Sequence, residues 1–186
     1  TNNNFASASG FSNLPLLREL DFSNNRITGF GGSQCSGLTS LQELLLTGNR
    51  LNQFPVLCDD VQNSLAIVLL DSNPIIKLAY SSSINMDYLK EFSCRHCLIN
   101  EIGQMFFDAM PGLSTLNLEN NQLSTLPFNI PANLTSLNLS QNSFTDMSSG
   151  YLNGLPILDL FLSQNRFNTT PQDIFALNLL GQLDLS

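Results

Sequence analysis

Apolar residues recur along this chain in one short phrase. It runs apolar, two free positions, apolar, one free position, apolar, two free positions, Asn, one free position, apolar. Leu17-Leu20-Phe22-Asn25-Ile27 spells it first, and Leu41-Leu44-Leu46-Asn49-Leu51 repeats it. Five copies follow: Leu65-Val68-Leu70-Asn73-Ile75, Leu89-Phe92-Cys94-Cys97-Ile99, Leu113-Leu116-Leu118-Asn121-Leu123, Leu134-Leu137-Leu139-Asn142-Phe144 and Ile157-Leu160-Leu162-Asn165-Phe167. An eighth begins at Leu180-Leu183-Leu185. Successive Asn or Cys positions are separated by 24, 24, 24, 24, 21 and 23 residues. A fixed period in this range means stacked units, each burying its apolar face against the next.

The centre of each phrase alternates apolar and free positions, the period of a strand, so one side faces the interior and the other is presented outward. Seven strands are expected, centred near Leu20, Leu44, Val68, Phe92, Leu116, Leu137 and Leu160, stacked as a parallel sheet. The Asn closing each phrase supplies an amide to buried bends whose backbone groups need partners. Seven stacked positions form a ladder, with Cys97 on the fourth rung.

The phrase resembles the leucine-rich-repeat superfamily, in particular the repeats of about 24 residues typical of extracellular receptor and adhesion proteins. That resemblance covers essentially the whole chain. It implies an α/β solenoid: a curved right-handed coil with a parallel concave β-sheet and a mostly irregular or short-helical convex side. Residues 1–186 read as one domain of seven complete repeats with partial repeats at both ends, Asn3-Asn4-Phe5 being the tail of an earlier one. No end cap is recognisable, so an interior window of a longer array is expected.

On the return path, Leu14, Leu38, Met110 and Leu177 lie three residues before the next phrase and are expected to fill the core from behind. Phe11, Cys35, Phe107 and Ile174 stand three residues earlier still. Two prolines in Leu126-Pro127-Phe128-Asn129-Ile130-Pro131 favour an extended path there.

Composition narrows the function. Charged residues make up only 12% of the chain, and fifteen acidic against seven basic residues give a net charge of −8, which makes nucleic acid an improbable partner. No apolar run of about 18 residues marks a transmembrane segment, and the first ten residues lack a signal-peptide pattern. Abundant Asn, Ser and Thr suit hydrogen-bonded turns and point to an extracellular or cell-surface setting.

Catalytic chemistry finds no support: there is no nucleophile elbow, no phosphate-binding loop, and a single His. Glu19 and Glu43 occupy equivalent outward positions, which reads as a solvated acidic stripe. Cys94-Arg95-His96-Cys97 has the C-x-x-C spacing, yet no second pair completes a zinc site. Both sulfurs fall on core positions, and reduced thiols are expected there. No metal or other cofactor is expected. Cys35 and Cys58 lie in adjacent return segments as a candidate disulfide, two small buried hydrophobes being the alternative. Asn133, Asn138 and Asn168 begin N-glycosylation sequons, which a chain this rich in Asn, Ser and Thr also produces by chance.

The alternation rule picks out a binding face. Leu45, Ile67 and Leu69 are expected to form an exposed apolar patch on an otherwise polar sheet, rimmed by Glu43, Asp71, Glu91, Arg95 and His96. A salt-bridged ladder through Asp71, Arg95 and Glu119 is the structural alternative. The favoured function is a recognition module for a protein or glycan partner. The alternative is a matrix, wall or filament component that assembles with copies of itself, and an intracellular scaffold ranks below both.

Overall fold

The computed structural model describes residues 3–8, 11, 13–79, 85–127, 129–147 and 150–186. Ten short strands occur among them: β1 (Glu19–Asp21), β2 (Glu43–Leu45), β3 (Ile67–Leu69), β4 (Lys77–Leu78), β5 (Glu91–Ser93), β6 (Glu101–Ile102), β7 (Thr115–Asn117), β8 (Ser136–Asn138), β9 (Asp159–Phe161) and β10 (Gln182–Asp184). Eight form one parallel sheet in the order β1-β2-β3-β5-β7-β8-β9-β10, while β4 and β6 pair separately. The eighth phrase therefore joins the sheet, with Leu183 opposite Leu160. Its L-x-L segment alone supplies the ladder.

Registers are those of the repeat. Leu20 lies opposite Leu44, Leu44 opposite Val68, Val68 opposite Phe92, and so on to Leu160. Except for Leu183, which is 40% exposed, these central residues are buried. Helix is scarce among the described residues: α1 (Asp59–Gln62) has four residues, and three 3-10 turns cover Gly32–Gln34, Phe106–Ala109 and Gln172–Ala176.

Each strand of the first seven repeats ends in a left-handed bend. Asn24, Gly48, Ser72, His96, Asn120, Gln141 and Gln164 have φ between 51° and 66°. None is β-branched, as this backbone region requires. The bend turns the following Asn into the interior, where Nδ2 of Asn49 donates to the carbonyls of Phe22 and Leu46, both at 2.9 Å, and Oδ1 accepts from Ile27 N–H at 3.0 Å. Asn73, Asn121, Asn142 and Asn165 repeat this pattern. Phe5 N–H donates to Asn25 Oδ1 in the same way.

The fourth rung differs because sulfur is a weak acceptor. Ile75 N–H, which an Asn at 97 would bind, instead donates to the carbonyl of Asn73 at 2.8 Å. Cys97, expected as a reduced thiol, is disulfide-bonded to Cys94. The bend at His96 folds the chain back within three residues and brings the two Cα atoms to 5.9 Å, inside the range such a bond needs.

Leu38, Met110, Leu177, Cys35, Phe107 and Ile174 are buried behind the sheet. Leu14 is not: it is 43% exposed, because no return segment of the described chain stacks over it. Where Phe92 replaces an aliphatic strand residue, Phe54 and Phe106 close around it with ring centroids 5.9 and 6.0 Å away, in edge-on and tilted contacts. Leu126, Pro127, Ile130 and Pro131 are buried in a non-helical return, and Phe128 lies outside the described residues.

Cys35 and Cys58 form a disulfide between adjacent return segments, with Cα atoms 6.0 Å apart. A parallel bridge between Gly31 and Val56 holds the same two segments together. There a Cβ on residue 31 would meet the Val56 carbonyl oxygen at 1.7 Å, so only glycine permits this approach.

Candidate functional site

The outward residues of the eight-stranded sheet form three columns. Before the central residue run Glu19, Glu43, Ile67, Glu91, Thr115, Ser136, Asp159 and Gln182; after it run Asp21, Leu45, Leu69, Ser93, Asn117, Asn138, Phe161 and Asp184. Two residues further lie Ser23, Thr47, Asp71, Arg95, Glu119, Ser140, Ser163 and Ser186.

In the second column, polar members have a structural job. Asp21, Asn117, Asn138 and Asp184 each accept, through a side-chain oxygen, the N–H two residues ahead, at 2.8 to 3.1 Å. These bonds steady the chain as it leaves the strand. Ser93 is too short for this, and Asp71 of the preceding repeat substitutes, accepting from Arg95 N–H at 2.8 Å and from Ser93 Oγ at 2.5 Å. Leu45 and Leu69 offer no such oxygen. They stand directly opposite each other, and Ile67 lies opposite Glu43 on one side and Glu91 on the other.

The expected patch is thus contiguous but less open than its sequence suggested. Leu45, Ile67 and Leu69 are half-buried, not fully exposed, because side chains on strands about 4.8 Å apart shield one another. Glu43, Asp71, Glu91 and Arg95 are half-buried too, and His96 is exposed.

The rim is partly engaged. Arg95 Nε lies 3.5 Å from Glu119 Oε2, an ion pair without good hydrogen-bond geometry. Glu119 also accepts from Asn138 Nδ2 at 3.4 Å and from Gln141 Nε2 at 3.3 Å. The salt-bridged ladder therefore forms between Arg95 and Glu119, whereas Asp71 binds the Arg95 backbone. His96 sits on the bend, its Nδ1 2.8 Å from Asn120 Nδ2. Asp21 has its carboxyl held below the ordinary range by hydrogen bonds from the hydroxyl and N–H of Ser23.

Of the sequon residues, Asn133 and Asn168 are exposed, and Asn133 Nδ2 donates to the Pro111 carbonyl at 2.9 Å. Asn138 is half-buried, with both ends of its amide engaged on the sheet face. Sequence reasoning missed Asn138 and Gln141 as partners of Glu119; the shared column of Arg95 and Glu119 was the available signal. It also missed a groove along the strand starts, between Arg18 and Lys90, with Tyr88 exposed on its wall. Among the described residues no group of three or more His, Cys, Asp or Glu is arranged to hold a metal ion, and no helix is long and apolar enough to cross a membrane.

Comparison with known proteins agrees with this architecture. One leucine-rich-repeat family model matches residues 2–51, and a second matches residues 112–132 and 133–155. Osteomodulin of Rattus norvegicus is 31% identical over 183 residues, covering 95% of this chain and 42% of that protein. Podocan of Mus musculus is 32% identical over 190 residues, covering 95% of this chain and 30% of podocan. The chain spans less than half the length of these curated relatives. Among solved structures, the APL1 leucine-rich-repeat domain superposes with a TM-score of 0.72 at 25% identity, over 95% of this chain and 44% of that one. Internalin C2 of Listeria monocytogenes gives 0.73 at 22% identity, over 93% of this chain and 73% of that one, a likeness of fold.

Proposed function

The chain belongs to the leucine-rich-repeat superfamily, and from that premise we propose that it is an extracellular or cell-surface recognition module whose concave sheet binds a protein or glycan partner. One observation carries this reading. At Leu45 and Leu69 the chain places apolar side chains where four sister positions hold a turn-stabilising Asp or Asn. With Ile67 they form an apolar centre inside a polar rim, the anatomy of a contact surface. Two disulfides suit an oxidising compartment. The reading is one of binding and not of catalysis.

A paired screen on protein and glycan arrays tests it. The double variant Leu45→Gln, Leu69→Asn replaces both apolar side chains with neutral amides and, unlike Asn at 45, creates no sequon with Thr47, so it should fold normally. Phe175→Asn, at a side chain 72% exposed on a return turn, is the control. The double variant is expected to lose the wild-type hits at an unchanged melting temperature, while the control retains them. Hits kept by the folded double variant would move the site off the sheet, with the groove between Arg18 and Lys90 the next candidate. If the wild type binds only itself, and the double variant abolishes that, the face serves self-assembly.

A further inference from the structure

We propose that the concave face is built for a basic protein segment, one presenting Lys or Arg side chains around an apolar anchor. This rests on the reading of that face as the recognition surface. Eight of the chain's fifteen carboxylates lie in the three outward columns: Glu19, Asp21, Glu43, Asp71, Glu91, Glu119, Asp159 and Asp184. A single cation, Arg95, accompanies them and is already paired with Glu119. The face thus carries seven of the eight net negative charges. The remaining six cations lie outside the three columns: Arg18 and Lys90 stand before the strands, Arg26, Arg50 and Arg166 each follow a ladder Asn, and Lys77 is bound to Glu101 in the smaller sheet.

Position matters more than number. Asp21, Asp71, Asp184 and Glu119 are held by neighbouring amides or side chains. Glu19, Glu43 and Glu91 have no hydrogen-bond or ion-pair partner among the described residues, and they share the first column with Ile67. The parallel register sets Glu19 directly opposite Glu43. Like charges in that relation disfavour the sheet, so the Glu19 and Glu43 pair does not help the fold. A cationic side chain laid across the strands would relieve this repulsion, while its apolar neighbour sat on Leu45, Ile67 and Leu69. Polyanionic glycans would meet the opposite field, so the proposal narrows the partner to a basic protein.

The probe is a synthetic peptide alternating Leu and Lys, with a Gln-for-Lys version as its neutral counterpart, and titrations with Ca2+ alone and with heparin. Three proteins are compared: wild type, the face variant Glu19→Gln, Glu43→Gln, Glu91→Gln, and a charge-matched variant off the face, Asp59→Asn, Asp87→Asn, Glu101→Gln. The Lys peptide should bind wild type, weaken as salt rises, and lose at least about tenfold in affinity to the face variant only, a loss of ~1.4 kcal/mol. The face variant should also melt at a higher temperature than wild type. Equal losses in both variants, binding of heparin or the neutral peptide in preference, or Ca2+ binding that accounts for the charge would overturn the proposal. If Leu45→Gln, Leu69→Asn abolishes peptide binding while the face variant keeps it, the face stands as the recognition surface and its charge preference falls. If neither variant alters peptide binding, the face itself is wrong.

Discussion

At the scale of single residues, the interior Asn ladder is the most informative feature. Asn73 accepts from Leu51 N–H and donates to the carbonyls of Leu46 and Leu70, so one amide serves three buried backbone groups. Asn73→Ala leaves Leu51 N–H and the Leu70 carbonyl without their amide partner, while the Leu46 carbonyl keeps Asn49, and should cost on the order of 3 kcal/mol in chemical denaturation, since each orphaned buried group is expensive. A loss near 0.5 kcal/mol, the scale of a neutral surface change, would mean that water reaches the rung. Asn73 was legible because the Asn recurs at a fixed step. The left-handed bend one residue earlier was not, because Asn, Gly, Ser, His and Gln share only a tolerance for positive φ. For the same reason the Cys94–Cys97 bond escaped the sequence reading: the bend that closes it is invisible in a C-x-x-C spelling.

At the scale of the strand, burial switches between adjacent residues. Leu44 is fully buried and Leu45 half-buried on the opposite face. Leu44→Asp should therefore destabilise by more than about 4 kcal/mol, as an unpaired charge enters the core. Leu45→Asp should cost about 1 kcal/mol or less. Thermal melts of the two variants check the register, and similar melting temperatures would show it to be shifted. Seven of the eight strands could be anticipated because the L-x-L alternation specifies which side is buried. The pairing of β4 with β6 could not: Lys77-Leu78 and Glu101-Ile102 are single apolar residues beside charges, joined only because successive returns run side by side.

At the scale of the whole molecule, the stacking converts a one-dimensional spelling into a face. Column membership followed directly from the period, so Leu45, Ile67, Leu69, Glu43 and Glu91 could be grouped from sequence. Their degree of exposure could not, since it depends on how neighbouring strands shield one another, and neither could the choice of Arg95 for Glu119 over Asp71. The central claim is that this face meets the partner. Its most direct test is carboxyl-labelling mass spectrometry on the protein free and bound to the ligand found on the arrays. Glu19, Glu43 and Glu91 should become protected while Asp59, Asp87 and Glu101 label as before; protection confined to the latter group, with the sheet unchanged, would contradict the account.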